Sequence, residues 1–130
     1  MLLTKQQKYL LAALEKLGCA ELRQLAALLQ KTFAFSSLDD AMRVTNACVR
    51  QMQMGGLLQI SDNIVSQCEE WAIPQRIEAI DVMLELSATQ PESFYAVDRH
   101  ILLRFSQGKG TLQLLFCWDP ETENFLSVPS

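Results

Sequence analysis

A chain of 130 residues with 49% apolar side chains can build one domain, or two small lobes sharing a core, without disulfides or metals. No apolar run approaches the roughly 18 residues of a membrane span. The stretch MLLTKQQKYLLAALEKLG is interrupted by Lys5, Lys8, Glu15 and Lys16, unlike a signal peptide, so a cytoplasmic protein that does not engage a membrane is expected.

The net charge of −4 conceals an asymmetry. Residues 1–60 carry seven Lys/Arg against four Asp/Glu, whereas residues 61–130 carry four against eleven. A mildly basic front half and an acidic back half suggest two lobes with different roles. The whole-chain charge therefore does not decide whether one face meets nucleic acid.

Taken in chain order, the first signal is Thr4 followed by Gln7, the spacing of a capping box. Leu10, Ala13, Leu14 and Leu17 recur at helical intervals, and Gly18 offers a left-handed stop, which predicts a helix over about 5–17. A second stripe of Leu22, Leu25, Ala26 and Leu29 predicts a helix at about 20–30. Phe33 and Phe35, in KTFAFSS, are expected to plug the gap between helices.

A third helix is expected to begin at Ser36 or Ser37, with Asp39 and Asp40 in its first turn, where carboxylates suit the helix dipole. Its predicted apolar stripe is Leu38, Ala41, Thr45, Cys48 and Met52, and Gly55 and Gly56 end it. Two short β-prone runs, Leu57–Ile60 and Ile64–Ser66, then flank the turn-forming triplet SDN as a small hairpin.

The back half opens with a predicted helix over about 72–87, with Pro74 in its first turn and a stripe of Ile73, Ile77, Ile80 and Leu84 widened by Met83. TQPES reads as a loop. HILLRFSQ and TLQLLFCW follow as strands joined by GKG, where Gly108 and Gly110 permit a tight turn. Ile101, Leu103 and Phe105 are assigned to one face of the first strand, and Leu112, Leu114, Phe116 and Trp118 to one face of the second. SFYAV and NFLSV are candidate outer strands, giving antiparallel strands over about 94–128. The expected class is α+β, with lobes at 1–67 and 68–130.

Three helices followed by a hairpin is the element order of the winged helix-turn-helix. The segments LTKQQKYLLAALEKLGCAELRQLAALL and DDAMRVTNACVRQMQMGGLLQIS carry the resemblance, and VRQMQMGGLLQI is similar to the family's passage from helix through glycine into the wing. Within that family the chain resembles the replication-relaxation type of plasmids and conjugative elements, which place an α/β region after the winged helix. The resemblance covers residues 4–67 well and residues 68–130 only vaguely.

The resemblance implies that helix 3 enters the DNA major groove, with Arg43, Asn46, Arg50 and Gln53 on its exposed face. Arg can grip guanine, and Asn or Gln adenine, through paired hydrogen bonds worth about 1–3 kcal/mol of discrimination each. The chain departs from the pattern in charge: the hairpin tip holds Asp62 and no Lys or Arg, and Lys5, Lys8, Arg23 and Lys31 are scattered. Phosphate neutralisation dominates such affinity, so one copy is expected to bind weakly and a dimer better.

Other constellations offer less. Cys19, Cys48, Cys68 and Cys117 are widely spaced and His100 stands alone, so no zinc site is expected and the cysteines read as reduced core residues. Glu78, Asp81 and Glu85 share one side of the fourth helix, most simply as a solvated face. Asp98-Arg99-His100 invites a nuclease reading, but TLQLLFCW lacks the acid and lysine an active restriction-type strand needs. Trp71, Tyr95 and Trp118 read as core rather than stacking residues, and GKG as a turn rather than a phosphate loop.

The element order and the resemblance together imply a DNA-binding or regulatory protein, and the resemblance places it with mobile genetic elements. It is expected to be non-enzymatic and without cofactor or metal. Double-stranded DNA is the expected partner, and the acidic lobe is assigned to homodimerisation or to a protein partner. The alternatives are a winged-helix module for protein contact that does not bind DNA, and an inactive relative of a nuclease fold.

Overall fold

The structure, a computed structural model, describes the backbone of residues 2–68, 74–86, 93–95, 101–106, 113–119 and 124–129, and side chains over 2–68 and 76–85. The fold is α+β, and the chain forms two compact units, Met1–Ala72 and Ile73–Ser130.

In the first unit, α1 (Lys5–Leu17) starts where the sequence signals placed it. Gln7 N–H donates to Thr4 Oγ1 at 3.1 Å, and Thr4 N–H donates to Gln7 Oε1 at 2.9 Å, so two donors left over at the helix start are satisfied. Gly18 ends the helix at φ 82°, donating its N–H to Leu14 O.

A strand absent from the sequence reading follows, β1 (Cys19–Glu21). It displaces the start of the second helix, so α2 runs over Leu22–Phe33 rather than about 20–30. Two tertiary contacts set these bounds. β1 pairs with a strand of the later hairpin, and Leu22 N–H donates to Asn63 O at that hairpin's turn. At the other end Phe33 belongs to the last helical turn, and its ring meets Tyr9 of α1 edge-on, with centroids 5.8 Å apart and planes at 83°. Ala34 then turns the chain in the left-handed region, at φ 55°.

The third helix, α3 (Leu38–Met54), is capped by Ser37, whose Oγ accepts the Asp40 N–H at 3.1 Å. Ala41, Thr45, Cys48 and Met52 are buried as predicted, joined by Val49. Leu38 is the exception: it lies on the stripe by spacing but is 47% exposed. As the first helical residue it extends the stripe past the part that is buried. At the other end Leu57 N–H reaches back to Met52 O and Gly56 N–H to Gln53 O, a Schellman closure with Gly56 at φ 77°.

The hairpin consists of β2 (Gln59–Ser61) and β3 (Ile64–Ser66); the second strand lies where predicted, whereas the first is shorter than the predicted Leu57–Ile60 and takes in Ser61. Asp62 and Asn63 form the two-residue turn with φ 50° and 67°, the primed type that matches strand twist. The sheet order is β1-β3-β2, antiparallel throughout, with Ala20 and Ile60 both opposite Val65. The core of the unit is Leu10, Leu14, Leu17, Leu25, Leu28, Leu29, Met52 and Val65, all fully buried. The most extensive helix pairing is α2 on α3.

In the second unit, α4 (Pro74–Leu86) lies against one strand, β5, of a four-stranded antiparallel sheet. Ile77, Ile80 and Met83 are buried as predicted, together with Ala79, while Leu84 is only half-buried and Ile73 lies outside the described residues. The sheet strands are β4 (Ser93–Tyr95), β5 (Ile101–Ser106), β6 (Gln113–Asp119) and β7 (Asn124–Pro129), in that order. Both candidate outer strands are therefore present. Leu103 and Phe105 pair with Phe116 and Leu114, the residues predicted to share a face, whereas a register shift sets Ile101 opposite Cys117. Leu112, the TQPES loop up to Glu92, and GKG lie outside the described residues. No helix among the described residues is long and apolar enough to cross a membrane.

Candidate functional site

The face of α3 opposite its buried stripe is the candidate site. Capping at Ser37 and closure at Gly56 fix the two ends of the helix, and the buried side chains fix its rotation about its own axis. Arg43, Asn46, Arg50 and Gln53 are consequently all exposed. Asp39, Met42, Arg43, Asn46, Ala47 and Arg50 line a shallow open depression along this face.

The two arginines differ. Arg43 Nη2 donates to Asp40 Oδ1 at 2.9 Å, one turn back on the same helix. The second oxygen of that carboxylate, Oδ2, accepts a hydrogen bond from Ser36 Oγ at 3.0 Å. Arg50 has no ion-pair partner among the described residues. Across the whole helix, Asp39 and Asp40 offset Arg43 and Arg50, so α3 carries no net charge. At the hairpin tip Asp62 and Asn63 are exposed and bring no positive charge.

Polar contacts fix α3 relative to α1. Gln7, only 1% exposed, donates from Nε2 to Gln51 Oε1 at 2.8 Å while its Oε1 completes the capping box. One turn away, the side chains of Cys48 and Thr4 are hydrogen-bonded. Burial pushes the Cys48 thiol up from its ordinary value, and the Thr4 contact opposes part of that rise. Cys48 is thus a neutral packing residue at neutral pH, as is expected of a buried thiol.

Sequence reasoning found the four polar residues through helical period alone. It missed the tie between Asp40 and Arg43, for which the i,i+3 spacing was the available signal. It also missed Gln7 and Gln51 as a pair, because nothing local joins residues on different helices.

Glu78 and Glu85 are exposed on α4 and Asp81 is half-buried, while Arg76 of the same helix is buried. Arg76 and Asp81 each have an interaction partner. Cys19 and Cys48 are buried and reduced, and Cys68 is half-buried and reduced. Among the described residues, no three His, Cys, Asp or Glu side chains gather where they could hold a metal ion. Trp71, Asp98, Arg99 and His100 lie outside the described residues, as do the side chains of Tyr95, Cys117 and Trp118.

No protein-family model matches the chain, and no curated protein or solved structure is significantly similar to it.

Proposed function

We propose that the Met1–Ala72 unit is a winged helix-turn-helix that binds double-stranded DNA through α3 and catalyses no reaction. The element order supports this reading: three helices, then a hairpin that pairs with a strand next to α2. The observation that carries it is the face of α3. Its 17 residues span about 25 Å, a rod that fits a major groove, and all four side chains able to read base edges point to solvent. In this reading the Ile73–Ser130 unit supplies homodimerisation or a regulatory protein contact, in the cytoplasm and in the service of a mobile element.

Fluorescence anisotropy with labelled duplexes at 50 and 200 mM salt tests the proposal. Binding that weakens with salt, and that is lost in Arg43→Ala/Arg50→Ala, is the expected result. Absence of binding to any duplex at 50 mM salt refutes it. A second reading, protein contact through the same fold without DNA, draws on the charge balance of α3 and the acidic hairpin tip. It predicts that the double substitution abolishes capture of a protein partner instead.

A further inference from the structure

We infer that Asp40 acts as a brake on sequence-independent DNA binding by cancelling Arg43. The inference rests on the reading of α3 as the DNA-contacting helix, and it assigns a role to a residue that reads no base.

The geometry behind it is a clasp. Both carboxylate oxygens of Asp40 are engaged, Oδ1 by Arg43 Nη2 at 2.9 Å and Oδ2 by Ser36 Oγ at 3.0 Å. The backbone of Asp40 is also held, because its N–H donates to the Ser37 cap. The carboxylate sits in the first turn, where the positive end of the helix dipole favours an anion. It is therefore a fixed charge and not a wandering one.

Arg43 is the more exposed member, with its side chain 78% exposed against 41% for Asp40. An exposed pair of this kind is weak, so a phosphate can draw Arg43 away at little cost. Asp40 then remains beside the polyanion with its charge uncovered. The gain from neutralising one phosphate is set against the repulsion of one fixed carboxylate. What is left to favour binding is Arg50, together with whatever base edges Asn46 and Gln53 meet. A surface balanced in this way discriminates, because random duplex supplies phosphates everywhere but the matching base edges only at the target.

The test is anisotropy on mixed-sequence duplex with the full chain across 50–200 mM salt, comparing wild type, Asp40→Asn, Asp39→Asn, Arg43→Ala and Asp40→Asn/Arg43→Ala. Asp40→Asn is expected to bind about tenfold tighter at 50 mM salt, with the slope of log K against log salt steeper by about one, the signature of one more phosphate contact. Arg43→Ala alone is expected to weaken binding, because it leaves the Asp40 carboxylate uncovered beside the duplex, and adding it to Asp40→Asn is expected to remove the gain. Asp39→Asn alters the charge equally in the same turn without touching the clasp, and is expected to give the smaller gain. Circular dichroism checks that every variant keeps its helix content.

Equal gains from Asp39→Asn and Asp40→Asn overturn the clasp. So does an Asp40→Asn protein that binds like a wild type whose own binding weakens with salt; in both cases the DNA reading stands. If neither wild type nor Asp40→Asn binds duplex at 50 mM salt, the DNA reading falls and this inference falls with it.

Discussion

Thr45 sits in the middle of α3 with no exposed surface, and its Oγ1 has no hydrogen-bond partner. A hydroxyl buried without a partner costs about 1–3 kcal/mol by mutational measures. Valine has nearly the same shape, is also β-branched and has a similar helix propensity. Thr45→Val therefore removes the polar atom while leaving the methyl contacts with its buried neighbours in place. The expected gain is about 1–2 kcal/mol. A domain of this size moves in Tm by about 4–8 °C for each kcal/mol, so a rise of about 4–16 °C is expected. Urea titration followed by circular dichroism gives the free energy, and an unchanged m-value shows that the unfolded state has not shifted. Thr45→Ser keeps the hydroxyl, loses the methyl and leaves a small void, so the expected order is Val, Thr, Ser. A valine variant no more stable than wild type, at equal m, would refute the reasoning. The hydroxyl would then be satisfied in solution, most directly by a carbonyl one turn back.

Further outcomes follow from other sites. Ala34 holds φ 55°, a region costly for any residue with a Cβ, so Ala34→Gly is expected to raise stability by about 0.5–1 kcal/mol in the same titration. Gln7→Leu removes both the bond to Gln51 and the return bond to Thr4 N–H, and a loss of about 1–3 kcal/mol is expected; a neutral result would show that packing alone orients α1. Burial raises the folded-state pKa of Cys48, so its contribution is complete below the ordinary thiol value of 9.0 and declines as pH rises through the folded pKa. The stability gap between wild type and Cys48→Ala is accordingly expected to be constant up to about pH 8 and to narrow above it, as measured by urea titration at each pH.

Where a signal was local, the sequence was enough. Thr4 and Gln7 begin α1 and Gly18 ends it, because each cap is settled by atoms within a few residues. The turn at Asp62 and Asn63 is legible for the same reason. β1 was not legible. Three residues carry no period, and Cys19–Glu21 is extended only because Ile64–Ser66 lies alongside. The error at α2 followed from that omission, since a strand now occupies the positions where its first turn was expected. Leu38 shows the limit of periodic reasoning: spacing assigns a face, but burial also needs a neighbour at that height along the helix. At the candidate site, period alone sufficed to expose Arg43, Asn46, Arg50 and Gln53. Whether those residues are free to act depends on which side chain reaches which, and only the fold shows Asp40 holding Arg43.

The capping box of α1 has a consequence for motion. The first turn of a helix ordinarily frays, and its amides exchange with solvent on their own schedule. Here Thr4 and Gln7, which close that turn, are also the residues that grip Cys48 and Gln51 of α3. The turn cannot open without releasing α3, so the two helices share one opening event. Hydrogen exchange at Lys8, whose N–H is bonded to Thr4 O, becomes a remote gauge of how firmly α3 is held. A ligand that tightens α3 slows exchange at a site it never touches.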